Sequence, residues 1–98
     1  MNIETFRGVM LAMVRAGDDH TTRQLALLLC LRDGPDTVRA LAERMGVTKP
    51  VVTRAVDRGA EDLYVERRPD PSDRRSVLVA LTPSGKRFVD GIANELAA

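Results

Sequence analysis

Scarcity sets the first limits on this 98-residue chain. A single cysteine, Cys30, excludes an internal disulfide and any cysteine-based zinc site. A single histidine, His20, argues against a histidine-dependent triad or metal cage. Tryptophan is absent and the aromatics are Phe6, Tyr64 and Phe88, so a core must be built from Leu, Val, Met and Ala. The longest strongly apolar run, Leu25–Leu31, is far too short to cross a bilayer. The N-terminus, with Glu4 before Arg7, lacks the charged, apolar, small-residue order of a signal peptide. A cytoplasmic protein without membrane contact is the expectation. Carboxylates are scattered and no nucleophile stands near a base, so neither an enzyme nor a cofactor or metal site is expected.

Charge of one sign is also missing. Fifteen basic and fourteen acidic residues leave a net charge of +1, without the bulk basicity that often marks nucleic-acid binders. Residues 48–76 carry seven basic and six acidic residues, so function has to rest on where charges point. Lys49 and Lys86 are the two lysines, and every other cation is Arg, which suits bidentate and groove contacts.

What is present is helical periodicity. Ile3, Phe6, Met10, Met13 and Val14 define the inner face of a first helix, stopped by Gly17-Asp18-Asp19. Val9, Leu11 and Ala12 give that helix more apolar surface than one face needs, which suits a partner chain. Thr21 and Gln24 fit a capping box for a second helix whose Leu25–Leu31 run is apolar nearly all round. Gly34-Pro35 ends it. Asp36 or Thr37 caps a third helix, with Val38, Leu41, Ala42 and Met45 inside, and Gly46 breaks it. Thr48 fits the cap of a fourth, with Pro50 in its first turn and Val52, Ala55, Val56 and Gly59 inside. Tyr64–Arg68 and Ser76–Leu81 alternate as two strands joined by a long turn-rich tip, residues 69–74. Thr82-Pro83 opens a last helix with Phe88, Val89, Ile92 and Leu96 on one side. The expected fold is mainly α with a small β-hairpin, in the order α-α-α-α-β-β-α. It forms one domain over residues 1–98.

The third helix, the Gly46 turn and the fourth helix have helix-turn-helix spacing. Ala42 is small where steeply crossing helices approach, and Gly46 suits a left-handed turn four residues later. In such a unit the second helix enters the major groove of DNA. Opposite Val52 and Val56 stand Lys49, Pro50, Thr53, Arg54 and Asp57, a set suited to guanine edges and phosphates. An ordinary helical hairpin with a solvated face fits the same spacing. The following hairpin favours DNA: Arg67, Arg68, Arg74 and Arg75 cluster at its ends and tip, where an arginine can reach a minor groove. Asp73 is placed to pair with a wing-base arginine. Cys30 reads as an inert thiol within the Leu-rich helix, and Asp18-Asp19-His20 as turn and cap chemistry.

The run from Val38 to Arg58 resembles the helix-turn-helix of MarR-type winged-helix regulators. The run from Val65 to Gly85, with Asp73-Arg74-Arg75 and then Leu81-Thr82-x-x-Gly85, resembles that family's wing and next helix. The resemblance covers about residues 22–90. It implies a winged helix-turn-helix over 36–82 and a sequence-specific transcriptional regulator that binds double-stranded DNA as a homodimer. By motif, Thr48, Lys49, Pro50, Thr53 and Arg54 contact the groove or phosphates, and Arg74 and Arg75 the wing side. Arg75 is then the minor-groove residue, and Asp73 and Arg67 hold the wing base. The terminal helices, 1–16 and 83–98, would supply the dimer, with a small-molecule effector pocket between them and the DNA-binding part.

Two departures from the family pattern stand out. The family usually carries Leu, then later Gly-Leu, between recognition helix and wing, whereas this chain reads Gly59-Ala-Glu-Asp-Leu63-Tyr64. The missing glycine removes a helix C-cap, which predicts an unusual angle between helix and wing. The chain also ends sixteen residues after Thr82, which predicts a smaller dimer and the loss of the family's effector pocket. These departures and the near-neutral charge keep a second reading open, a winged-helix protein-interaction module that does not read DNA.

Overall fold

The computed structural model describes residues 1–97. In chain order these form α1 (Ile3–Arg15), α2 (Thr22–Leu31), β1 (Asp36–Thr37), α3 (Val38–Met45), α4 (Lys49–Glu61), β2 (Val65–Asp70), β3 (Asp73–Leu81) and α5 (Pro83–Ala97). The helix starts follow from local chemistry. The Asn2 side chain accepts the Thr5 N–H at 2.8 Å. Thr21 and Gln24 cap α2 reciprocally, at 3.2 and 2.9 Å, as their spacing predicts. Thr37 Oγ1 accepts the Ala40 N–H at 3.1 Å and opens α3, which Gly46 closes at a φ of 67°.

Two features of the sheet differ from the sequence expectation. Asp36 and Thr37 pair antiparallel with Val79 and Leu78, so the expected hairpin is part of a three-stranded sheet in the order β1-β3-β2. Two residues are too few to show alternation, and their pairing is a tertiary event. The wing tip is also tighter than expected. Both strands continue through the turn-rich segment and leave Pro71-Ser72 as the connection between paired Asp70 and Asp73. Asp70 Oδ1 accepts both the Ser72 N–H, at 2.9 Å, and the Ser72 hydroxyl, at 2.7 Å, closing the turn. The ladder is irregular between Pro69 and Asp70. β2 advances one residue from the Pro69–Val77 pair while β3 advances through Ser76, Arg75 and Arg74. Those residues stand in a bulge beside a proline that cannot donate to the ladder.

One hydrophobic cluster unites α2, α3, α4, the sheet and α5. Leu27, Leu41, Val52, Val56, Val79 and Val89 are fully buried within it, and each contributes about 1.5–3 kcal/mol by burial. Arg44 ties the end of α3 to the α2–α3 connection, donating to Asp33 at 2.7 Å and to the Cys30 carbonyl at 3.4 Å. Cys30 itself is half-buried against the core. α2 is not covered all round, since Leu29 is exposed. On α1 the buried residue is Val9, not the Ile3–Val14 stripe the periodicity favours. The helix packs on α5, and Ile3 (77% exposed) and Val14 (71%) face outward.

The α4–wing junction corrects the expected loss of a C-cap. The Tyr64 N–H donates to the Gly59 carbonyl at 2.9 Å and the Leu63 N–H to Ala60 at 3.0 Å, the two bonds of a Schellman motif. Leu63 takes the left-handed conformation normally left to glycine, at a φ of 62°. The missing side chain at Gly59 has a use as well, because a Cβ there would lie 2.9 Å from Val65 Cγ2. Helix and first wing strand meet through that gap.

Candidate nucleic-acid interface

α3 ends at Gly46, and Val47 reaches back to donate to the Ala42 carbonyl at 3.1 Å. This turn carries the chain into α4 with Val52, Ala55, Val56 and Gly59 buried, as expected from their spacing. The opposite side is solvent-exposed and presents Lys49, Pro50, Thr53, Arg54 and Asp57 on one face. Thr48 occupies the N-cap position with extended backbone, but its side chain makes no capping bond. The first turn of α4 therefore keeps free amide groups and an unused hydroxyl at its positive end. Lys49 and Arg54 have no carboxylate partner among the described residues.

The wing sorts its four arginines into two pairs. At the base, Arg67 donates to Asp57 on α4 at 2.6 Å, and Arg68 donates to Glu66 at 2.6 Å. At the tip, Arg74 and Arg75 are exposed and without an ion-pair partner among the described residues. Asp73 does not pair with a wing-base arginine side chain. Its Oδ1 accepts the backbone N–H of Arg75 at 3.0 Å, which fixes the main chain at the bulge that carries the two free cations. The Ser72 hydrogen bonds also hold the Asp70 carboxyl below its usual range, so the turn beside those arginines stays ionised.

Sequence reasoning missed two features around this face. Arg23 in the first turn of α2 meets Arg54 across an open cleft of about 430 Å³, lined also by Thr22 and Val51. Its position one residue past a helix start was visible, but not the crossing of α2 over α4. The side chain of His20, read as loop chemistry, is 7% exposed; its ring stacks on Tyr64 and lies tilted against Phe88, with centroids 5.8 and 5.2 Å away. Its Nε2 lies 3.5 Å from Asp62 Oδ2, at the end of α4. Burial, then the charges of Asp18 and Asp62, push the Tyr64 hydroxyl above its ordinary pKa. This cluster anchors the α1–α2 loop to the α4–wing junction. Among the described residues no three His, Cys, Asp or Glu side chains converge on a metal position. No helix among them is long and apolar enough to cross a membrane.

The arrangement is a cationic helix face flanked by a hairpin with a cationic tip, and the fold that carries it is found in known proteins. The family model of the MarR family matches residues 10–76. The chain is 36% identical over 73 residues to the HTH-type transcriptional repressor NicR of Pseudomonas putida, covering 74% of this chain and 46% of NicR. The chain spans about half the length of the curated relatives it matches. Among solved structures, RV1404 of Mycobacterium tuberculosis superposes with a TM-score of 0.81 at 28% identity, over 91% of this chain and 61% of that one. Wild-type MarR of E. coli gives a TM-score of 0.77 at 28% identity, over 95% and 68%.

Proposed function

The chain belongs to the MarR family, and from that membership we propose that it is a sequence-specific DNA-binding transcriptional regulator whose α4 enters the major groove. Thr53, Arg54 and Lys49 contact base edges and phosphates there, with the Thr48 hydroxyl and Pro50 against the backbone. Arg75, supported by Arg74, enters the adjacent minor groove. Arg23 extends the phosphate-facing surface beyond α4. The observation that carries this reading is the division of the wing arginines: those at the base are neutralised by carboxylates, while Arg74 and Arg75 at the tip have no ion-pair partner among the described residues. A net charge near zero is compatible with DNA binding when cations without carboxylate partners among the described residues, here Lys49, Arg54, Arg74 and Arg75, stand on the α4 face and the wing tip.

The regulator acts as a homodimer in the cytoplasm. The open stripe of Ile3, Phe6 and Val14 on α1 supports this, because large apolar side chains that exposed favour a partner surface. Two copies would present two recognition helices to a pseudo-palindromic site. A small-molecule effector would act by changing the separation of those helices.

Fluorescence anisotropy tests the reading, using fragmented genomic DNA against a random duplex across a salt series. The expected result is a fragment bound far more tightly than random sequence, with affinity falling steeply as salt rises. Arg75→Ala should weaken that selective binding by about 1–3 kcal/mol without lowering the melting temperature. Weak, sequence-blind binding that vanishes near physiological salt would refute the proposal and favour the protein-interaction module.

A further inference from the structure

Asp57 is the first carboxylate along α4, four residues after Thr53 and three after Arg54. Helical spacing sets it on the same exposed face as both. A bare carboxylate there would repel the phosphates that the neighbouring cations attract. The fold cancels it: Arg67 Nη2 on β2 donates to Asp57 Oδ1 at 2.6 Å, a charge-assisted bond from the helix to the wing. Asp57 Oδ2 has no partner among the described residues and is an acceptor matched to the amino group of cytosine. Arg67 has no second carboxylate among them either. Each residue therefore blocks what the other would do alone.

We propose that the Asp57–Arg67 pair is a specificity determinant of the DNA interface, an inference that rests on the DNA-binding reading above. Asp57 keeps Arg67 off the phosphates, where its charge would add affinity blind to sequence. Arg67 in turn holds Asp57 neutralised and oriented, so that its free oxygen discriminates among bases without repelling the backbone.

The experiment measures Asp57→Asn, Arg67→Ala and the double variant by anisotropy on a selected duplex and a random duplex, across a salt series. Thermal unfolding confirms that each variant folds, as expected for two exposed side chains. Asp57→Asn should bind random duplex several-fold more tightly, and the slope of log affinity against log salt should steepen by about 0.9, one released cation on one phosphate. Its preference for the selected duplex should fall about tenfold, the loss of one base contact. Arg67→Ala should weaken both duplexes several-fold through the uncovered carboxylate. The double variant should return to the wild-type slope. An unchanged slope and preference in Asp57→Asn, while wild type binds selectively, overturns the inference and leaves the DNA-binding reading standing. Wild-type protein that discriminates no duplex overturns both. Should Asp57→Asn not fold, Arg67→Ala decides alone, and unchanged affinity in it overturns the inference.

Discussion

Replacing Leu63 isolates the cost of closing the recognition helix without a glycine. Leu63 sits at the left-handed position of the Schellman motif, at a φ of 62°, with 71% of its surface exposed. An L-residue in that region costs roughly 1–2 kcal/mol. Glycine relieves the cost but gives back about 0.4–1 kcal/mol through the greater freedom of the unfolded chain. The exposed leucine side chain contributes little burial, so the comparison that counts is Leu63→Gly against Leu63→Ala. Alanine removes the same side chain and keeps the strain. Leu63→Gly should be more stable than Leu63→Ala by about 0.5–1 kcal/mol, which in a domain this size is about 2–8 °C in melting temperature. Thermal unfolding followed by circular dichroism at 222 nm reads the difference directly. Equal melting temperatures, or a higher one for Leu63→Ala, would refute the assignment of strain to this residue.

The remaining expectations concern the other contacts of the same scaffold. A Cβ at Gly85 would overlap the Tyr64 carbonyl, so Gly85→Ala should destabilise the fold by about 3 kcal/mol or more, measured by denaturant unfolding. The Asp70 carboxyl is held below its ordinary pKa by Ser72. Its contribution to the wing turn is thus present above the unfolded-state value and lost as pH falls through the lower folded value. The carboxyl resonance of Asp70 should titrate below that of an unstructured aspartate, and Ser72→Ala should move the midpoint up; an unmoved midpoint would assign the depression elsewhere. Val14→Glu on the open stripe of α1 should convert a dimer into a folded monomer in sedimentation velocity, and an unaltered coefficient would place the interface on another surface.

Much of this architecture is legible in the sequence because it depends on neighbours within four residues. The Thr21–Gln24 capping box, the Gly46 turn and the buried side of α4 are local, and all follow the expected spacing. The misses are non-local. Asp36-Thr37 becomes a strand only because β3 runs past it, and the His20 ring is covered only because Tyr64 and Phe88 converge on it. The face α1 buries is set by α5, not by its own periodicity. In the candidate site, the types and spacing of the cations were readable, but their partners were not. Arg67 and Arg75 look alike in sequence, and a 2.6 Å contact with a carboxylate ten residues upstream separates them.

The pairing of β1 with β3 also has a mechanical side. Thr37 is both a strand residue bonded into the sheet and the residue that caps α3. The helix-turn-helix and the root of the wing are therefore bolted to one point and turn together. Beyond Leu78 the third strand stops, and the arm continues as a two-stranded ribbon, a form with little stiffness of its own. The tip thus behaves as a cantilever: clamped at its root, compliant at its end, with Arg74 and Arg75 at the free extremity. On the proposed DNA-binding reading, such a ribbon would let Arg74 and Arg75 meet grooves of different width by bending, while α4 stays where the clamp holds it.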